Sequence, residues 1–384
     1  MIYFLCKNLL VPLGGPDWLR LVNYLTIRSI VASITAFCLI LLLGNRSIRL
    51  LYLHGARDTV FNYGLMDPES KRGTPTMGGV MIVGALLVSI LSWNDLSNRF
   101  VQLTLAAMIW FGGIGFLDDY LKIKHQDSRR GLSQLTKLGL QALFAIGFML
   151  IYLSAELTPL TPEKVILLKG STGVTPENYK FYLQVPFYKY PVLNLSWFYL
   201  LFGVFVILAI SNSVNFADGL DGLAIVPTSL TAGVFGIFAY IIGNINHSDQ
   251  LLFTHLVGSG ELTIILAALV GAGLGFLWFN AYPAQVFMGD TGSMALGGIL
   301  AVVAIMIKQE ILFLLAGGIF VLEGASVLIQ EKIGIARLGR RIFHRAPIHH
   351  NFQHLGIAET KVVVRFWIVG IILMLLSLAT IKIR

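Results

Sequence analysis

Charge is what this sequence has least of: Asp, Glu, Lys and Arg make up 12% of its 384 residues, against 56% hydrophobic and a mean hydropathy of +0.77. Soluble domains run nearer ~25% charged and ~45–50% apolar, so a water-soluble globule of this composition would lack the polar surface to cover itself. Cysteine is equally scarce. Only Cys6 and Cys38 occur, which excludes a disulfide framework and a cysteine zinc site and leaves both as packing residues. No solenoid period, low-complexity tract or domain-separating linker is visible, so residues 1–384 read as a single transmembrane domain. The first twenty residues show no basic n-region ahead of their apolar stretch and no small-residue cleavage site. No signal peptide is therefore expected there, and the N-terminal segment is expected along the membrane surface.

What the sequence has instead is apolar runs of about 17 to 23 residues. These are long enough to cross ~30 Å of hydrocarbon as helices and about twice the length of a barrel strand, which excludes an outer-membrane barrel. Ten runs are predicted as spans, at roughly 23–43, 77–93, 101–118, 138–155, 196–213, 222–243, 262–280, 293–307, 311–330 and 363–381. The expected fold is an all-α polytopic membrane protein of about ten transmembrane helices. Connections after odd-numbered spans hold sixteen Lys and Arg, the opposite side ten. The positive-inside rule then places loops 44–76, 119–137, 214–222, 281–292 and 331–362 in the cytoplasm and both termini outside, in the periplasm. The longest outside segment, 156–195, carries a Lys169-Gly170-Ser171-Thr172-Gly173 turn cluster and β-type residues from Tyr179 to Val185, and a small external β-hairpin is expected there. The net charge of +8 sits beside span ends, where topology and anionic lipid account for it, so nucleic acid is not an expected partner.

Five aspartates stand at cytoplasmic span ends inside apolar sequence: Asp118, Asp119, Asp218, Asp221 and Asp290. A carboxylate this close to hydrocarbon costs several kcal/mol unless paired or metal-bound. Helix capping accounts for any one of them, but five caps would leave an uncompensated negative cluster. A divalent cation is the natural remedy, and an all-oxygen donor set without Cys favours Mg²⁺ or Mn²⁺ over zinc. Mg²⁺ is commonly shared between one or two carboxylates and substrate phosphates, so a phosphorylated substrate is expected. Ser70-Lys71-Arg72-Gly73-Thr74-Pro75-Thr76-Met77-Gly78-Gly79 supplies cations, hydroxyls and flexible backbone suited to phosphate, although alone it reads equally as a positive-inside anchor with a turn. His350 and His354 are spaced i, i+4, a zinc spacing on a helix. Following a Pro turn and without an acidic base between them, they read better as donors to an anionic substrate. Glu323 is expected to be neutral or hydrogen-bonded to a neighbouring helix, Arg28 to snorkel outward, and the Gly271, Gly273, Gly275 run to serve close helix packing.

Segments Ser70 to Gly79, Gly115 to Tyr120, Asn215 to Ala224, Asn280 to Asp290 and Ala346 to His350 together resemble the phospho-N-acetylmuramoyl-pentapeptide transferase family, essentially from end to end of the chain. The resemblance implies transfer of phospho-N-acetylmuramoyl-pentapeptide from UDP-MurNAc-pentapeptide to undecaprenyl phosphate in the bacterial inner membrane, an early step of peptidoglycan synthesis releasing UMP. It also implies Mg²⁺ (Mn²⁺ as an alternative), a cytoplasm-facing site and a homodimer. By position, the family's metal ligand falls on Asp290 and its aspartate pair on Asp118 and Asp119. Its nucleotide pocket falls on Lys71, Thr76, Asn215, Asp218, Gly219, Leu220, Asp221, Asn280 and Phe287, with Gln330, His349 and His350 on the rim. Lys71 or Lys137 is expected as a fixed cation beside the pyrophosphate. Two departures stand out: Asn351 and Gln353 where the family usually has a third His and an acid, and Phe216-Ala217 before Asp218 where a Leu-Thr pair is common. A sister enzyme moving N-acetylglucosamine 1-phosphate would share the aspartates but differ in the last loop. An ion-coupled transporter would place its acids near mid-membrane and often show inverted repeats.

Overall fold

The computed structural model describes residues 1–7, 17–56, 73–127 and 130–383. Ten helices organise it: α1 (Leu25–Leu53), α2 (Gly79–Trp93), α3 (Arg99–His125), α4 (Gln134–Leu153), α5 (Phe198–Phe216), α6 (Ile225–Ile242), α7 (Glu261–Asn280), α8 (Gly289–Met306), α9 (Gly318–Leu328) and α10 (Glu359–Ala379). Among the described residues, eight of these are long and apolar enough to cross a membrane, and the chain is a multi-pass, all-α membrane protein. The other two runs expected to span form shorter helices, for local reasons. Over 77–93 the helix starts only at Gly79, because Met77 takes a positive φ and the chain before it is tied to a neighbouring loop. Over 311–330 the chain breaks at Gly317 between a one-turn helix, Phe313–Ala316, and α9, which runs on into a π-helical turn, Ile329–Ile335.

α8 is the centre of the bundle, with 89% of its apolar window buried against α2, α3, α5 and α6. Small residues let its neighbours close in. A Cβ on Gly115 of α3 would lie 2.2 Å from the Asp290 carbonyl oxygen, so only glycine lets α3 cross the start of α8 at this distance. The expected close packing at Gly271 is present: a Cβ there would lie 2.0 Å from the Ser33 carbonyl oxygen, where α7 meets α1. Side-chain caps begin α3, where Asn98 accepts from Phe100 N, and α4, where Ser133 accepts from Thr136 N.

The hairpin expected within 156–195 is present in miniature: β2 (Tyr182–Leu183) pairs antiparallel with β3 (Leu193–Asn194). A second pair, β1 (Val165–Ile166) with β4 (His255–Leu256), ties this segment to the α6–α7 connection. Buried Lys308 donates to the Lys180 carbonyl (3.1 Å), and Tyr199 donates to Glu310, fixing the segment to the bundle. Arg28 does not snorkel. It is buried, donates to both oxygens of Glu261 (2.6 and 3.0 Å), and lies 4.1 Å from the Tyr3 ring centroid. A carboxylate one helix away offers it a better partner than the interface does.

Candidate active site

The site assembles at one end of the bundle from the C-terminal ends of α3, α5 and α7 and the N-terminal ends of α2, α4 and α8. Pro75 to Gly79 forms a splint against the strand-like turn before α8: Phe287 N donates to the Pro75 carbonyl, Gly78 N to Phe287 and Gly79 N to Met288, each at 2.8 Å. This brings half-buried Thr76 beside Gly289, where a Cβ would sit 3.2 Å from Thr76 Oγ1 and 2.8 Å from Asp119 Oδ2. Gly289 has φ +74°, which a side chain would strain further. Lys71 lies outside the described residues.

The five aspartates divide by partner. Asp119 is a helix cap reaching across from α3: its oxygens accept from Asp290 N (3.1 Å), Thr291 N (2.9 Å) and Thr291 Oγ1 (2.7 Å) at the start of α8. Asp221 accepts from Ala284 N (3.0 Å) and pins the loop before α8. Asp118 and Asp290 instead converge on two lysines. Lys137 is 2.6 Å from Asp290 Oδ2 and 2.9 Å from Asp118 Oδ2; Lys122 is 3.3 Å and 2.6 Å from the same oxygens. Asp118 also accepts from Leu132 N (2.7 Å), and Asp290 Oδ1 from the Asn215 amide (3.0 Å), which Ser293 steadies (2.9 Å). Asp218, on the loop after α5, is mostly buried. Burial, then the negative charges of Asp290 and Asp119, push its carboxyl up to about 8 against the opposing effect of a donating Gly289 N–H.

Carboxylate oxygens of Asp118, Asp119 and Asp290 lie within 4.8 Å of one another, a spacing that could hold a metal ion. The donors are all hard oxygens, with no Cys or His among them, which suits Mg²⁺ or Mn²⁺. Asp290 is the freest to turn toward a ligand, since its side chain is 18% exposed and that of Asp118 fully buried.

The remaining expected residues fall into two groups. Asn215, Asp218, Gly219, Phe287 and His350 are partly or fully exposed, and Asn215 touches the cluster directly. Asn280, Leu220, Gln330 and His349 are buried. The Asn280 amide accepts from Gly222 N (3.0 Å) and donates to the Val286 carbonyl (2.9 Å), so it shapes the 218–222 and 284–288 loops together. Gln330 accepts from Ile342 N (3.1 Å) and Phe343 N (3.0 Å) and donates to the Phe343 carbonyl (3.1 Å), which ties the last loop back to the π-helical turn. In the short helix Ile348–His354, Asn351 accepts from His344 N (3.1 Å) and Gln353 meets His350 Nδ1 at 2.9 Å. Lys122 is the residue that reading the sequence missed, counted only as a topology charge. Its i, i+4 spacing from Asp118 on one helix was the available signal.

Two comparisons with known families match the chain. Residues 101–308 match the model for glycosyl transferase family 4, and residues 71–83 match phospho-N-acetylmuramoyl-pentapeptide-transferase signature 1. The first match spans every one of the five aspartates; the second includes the splint segment.

Proposed function

The chain belongs to glycosyl transferase family 4, and from that premise we propose that it transfers phospho-N-acetylmuramoyl-pentapeptide from UDP-MurNAc-pentapeptide to undecaprenyl phosphate, giving lipid I and UMP. The observation that carries this reading is the splint: the segment matching the pentapeptide-transferase signature is bonded directly to the turn that presents Asp290. Membership in a transferase family sets aside ion-coupled transport, and the carboxylates crowd one end of the bundle rather than its middle.

In the reaction, an oxygen of the lipid phosphate attacks the sugar-bearing phosphorus of the donor. The bond from that phosphorus to the bridging oxygen breaks, and UMP leaves with the oxygen. Two anionic phosphates must meet, so positioning and charge stabilisation dominate the barrier. Lys122 and Lys137 supply fixed positive charge where negative charge accumulates, and Asn215 holds the Asp290 carboxylate in register. A divalent cation held by Asp290, with Asp118 and Asp119 beside it, would neutralise the pyrophosphate and polarise its P–O bonds. Asp118 orients the incoming lipid phosphate through the shared lysines. A phosphate monoester has its second pKa near ~6, so the nucleophile is already largely dianionic at neutral pH. Direct displacement needs no strong base and no covalent phospho-aspartate.

The same reading puts the site on the cytoplasmic side of the bacterial inner membrane, with loops 44–76, 119–137, 214–222, 281–292 and 331–362 facing it and residues 156–195 in the periplasm. It also makes the chain one transmembrane domain working as a homodimer. The deciding experiment incubates purified protein with UDP-MurNAc-pentapeptide, undecaprenyl phosphate and Mg²⁺ and follows UMP. UMP release from UDP-N-acetylglucosamine in place of the muramoyl donor would transfer the assignment to the sister activity.

A further inference from the structure

Glu323 lies on α9 and His349 in the last loop, 26 residues apart. Their side chains are both fully buried, with His349 Nδ1 3.0 Å from Glu323 Oε2. Among the described residues, His349 Nε2 and Glu323 Oε1 find no hydrogen-bond partner. Nε2 is aimed at the loop carrying Asp218: a Cβ placed on Gly219 would lie 2.3 Å from it. His350 faces the same ring, centroids 4.1 Å apart, and Glu359 lies behind the loop, accepting from Asp221 N at 3.1 Å. An unpaired donor or acceptor in such a place is costly unless something occupies it.

The proton count on the pair decides what Nε2 is. A buried Glu–His pair avoids net charge in three ways. With carboxylate and imidazolium, both ring nitrogens carry protons. With a neutral carboxyl donating into Nδ1, the imidazole proton sits on Nε2. Those two leave Nε2 protonated; the third, with the carboxyl proton on Oε1 and Nδ1–H donating to Oε2, would bare Nε2 but leave that hydroxyl without an acceptor among the described residues, and a net negative pair would bare it at the cost of a buried charge. We propose that Glu323 is a positioning residue that keeps the proton on His349 Nε2 and aims it past Gly219 as a hydrogen-bond donor to an oxygen of the bound uridine nucleotide. This rests on the nucleotide-donor reading above, which supplies the acceptor. Glycine at 219 is then required because a Cβ there would lie 2.3 Å from Nε2 and cover the donor.

The test measures UMP binding calorimetrically with the full-length protein in detergent. Glu323→Leu raises the Kd for UMP about 10-fold, while Glu323→Gln, whose amide can still donate into Nδ1, stays within about 3-fold. In a His349→Ala background, Glu323→Leu adds no more than about 2-fold, because the glutamate acts through the histidine. Additive effects, or an unchanged Kd in Glu323→Leu, overturn the proposal. Should Glu323→Leu fail to fold, ¹⁵N shifts of the His349 ring in the wild type decide the matter: a protonated Nε2 supports the assignment and a bare one ends it. A protein that binds UMP in this pattern yet does not turn over the muramoyl donor overturns the substrate assignment and leaves this one standing.

Discussion

Replacing Asp290 by Asn removes one charge and little else. The amide keeps an oxygen for the Asn215 contact, and the backbone N–H of residue 290 still bonds Asp119, so α8 keeps its cap. What changes is electrostatic. The carboxylate sits 2.6 Å from Lys137 and 3.3 Å from Lys122, each contact worth about 5–6 kcal/mol before desolvation at an effective dielectric near 20. Most of that is cancelled by the cost of burial, and breaking such a pair typically costs about 3–5 kcal/mol net. Two lysines would then face Asp118 alone, and a neutral amide is a poor ligand for Mg²⁺. The cost of breaking the pair lowers the thermal midpoint; a separate loss of charge stabilisation of about 3–5 kcal/mol in the transition state lowers turnover by roughly 10²- to 10⁴-fold, and the Mg²⁺ concentration for half-maximal activity rises. The assay is UMP release across a Mg²⁺ titration, with protein abundance and thermal midpoint as controls. Activity within about 3-fold of wild type at limiting Mg²⁺, in a normally folded variant, would refute the placement of Asp290 at the metal.

Asp119→Ala should act mainly on stability, lowering the thermal midpoint by an amount equivalent to about 1–2 kcal/mol for a lost cap, whereas Asp118→Asn should lower turnover with a smaller change in melting. If the two variants exchange these profiles, the division of labour is wrong. Asp218 gives a pH dependence. Its carboxyl holds a proton up to about 8 in the fold and only to about 4 unfolded, so the folded state binds more protons in between and stability falls as pH rises through that window. In EDTA the thermal midpoint should decline between about pH 5 and 8 and level off above that, less steeply in Asp218→Asn, and Mg²⁺ should restore more stability at the alkaline end; equal slopes in both proteins would count against it. Phe287→Ala should raise KM for the nucleotide donor about 10-fold, from base stacking worth ~1–3 kcal/mol, and a rise confined to the lipid KM would remove Phe287 from the nucleotide pocket. Asn351→His should leave turnover within about 3-fold, since the position only accepts from a loop N–H; a large gain in the UMP assay would contradict that.

Apolar runs and out-of-place carboxylates were legible because each is a local signal. Length and hydropathy reveal a helix, and an acid near hydrocarbon needs a reason wherever its partner lies. The partners were not local. Asp119 caps a helix that begins 170 residues later, Asn280 and Gln330 spend their amides on backbone of other loops, and Arg28 finds Glu261 across the bundle. Nothing in the spacing of these residues distinguishes a group that touches substrate from one that shapes the loop beside it. Glu323 shows the same limit: a lone acid in an apolar run has no visible direction until His349, from a loop 26 residues on, is folded onto it.

Among the described residues, α8 is the least apolar and the most deeply buried of the eight helices able to cross a membrane. A segment that meets protein on nearly every side has little need of lipid-compatible side chains, and Gly, Ala, Ser and Thr fill its first turns. During biosynthesis this segment leaves the ribosome after α3 and α5, the helices it packs against. A segment with few lipid-facing side chains can settle against partners that precede it in the chain, and the carboxylate at its head meets lysines carried by α3 and α4, so its charge is balanced only where all three helices meet.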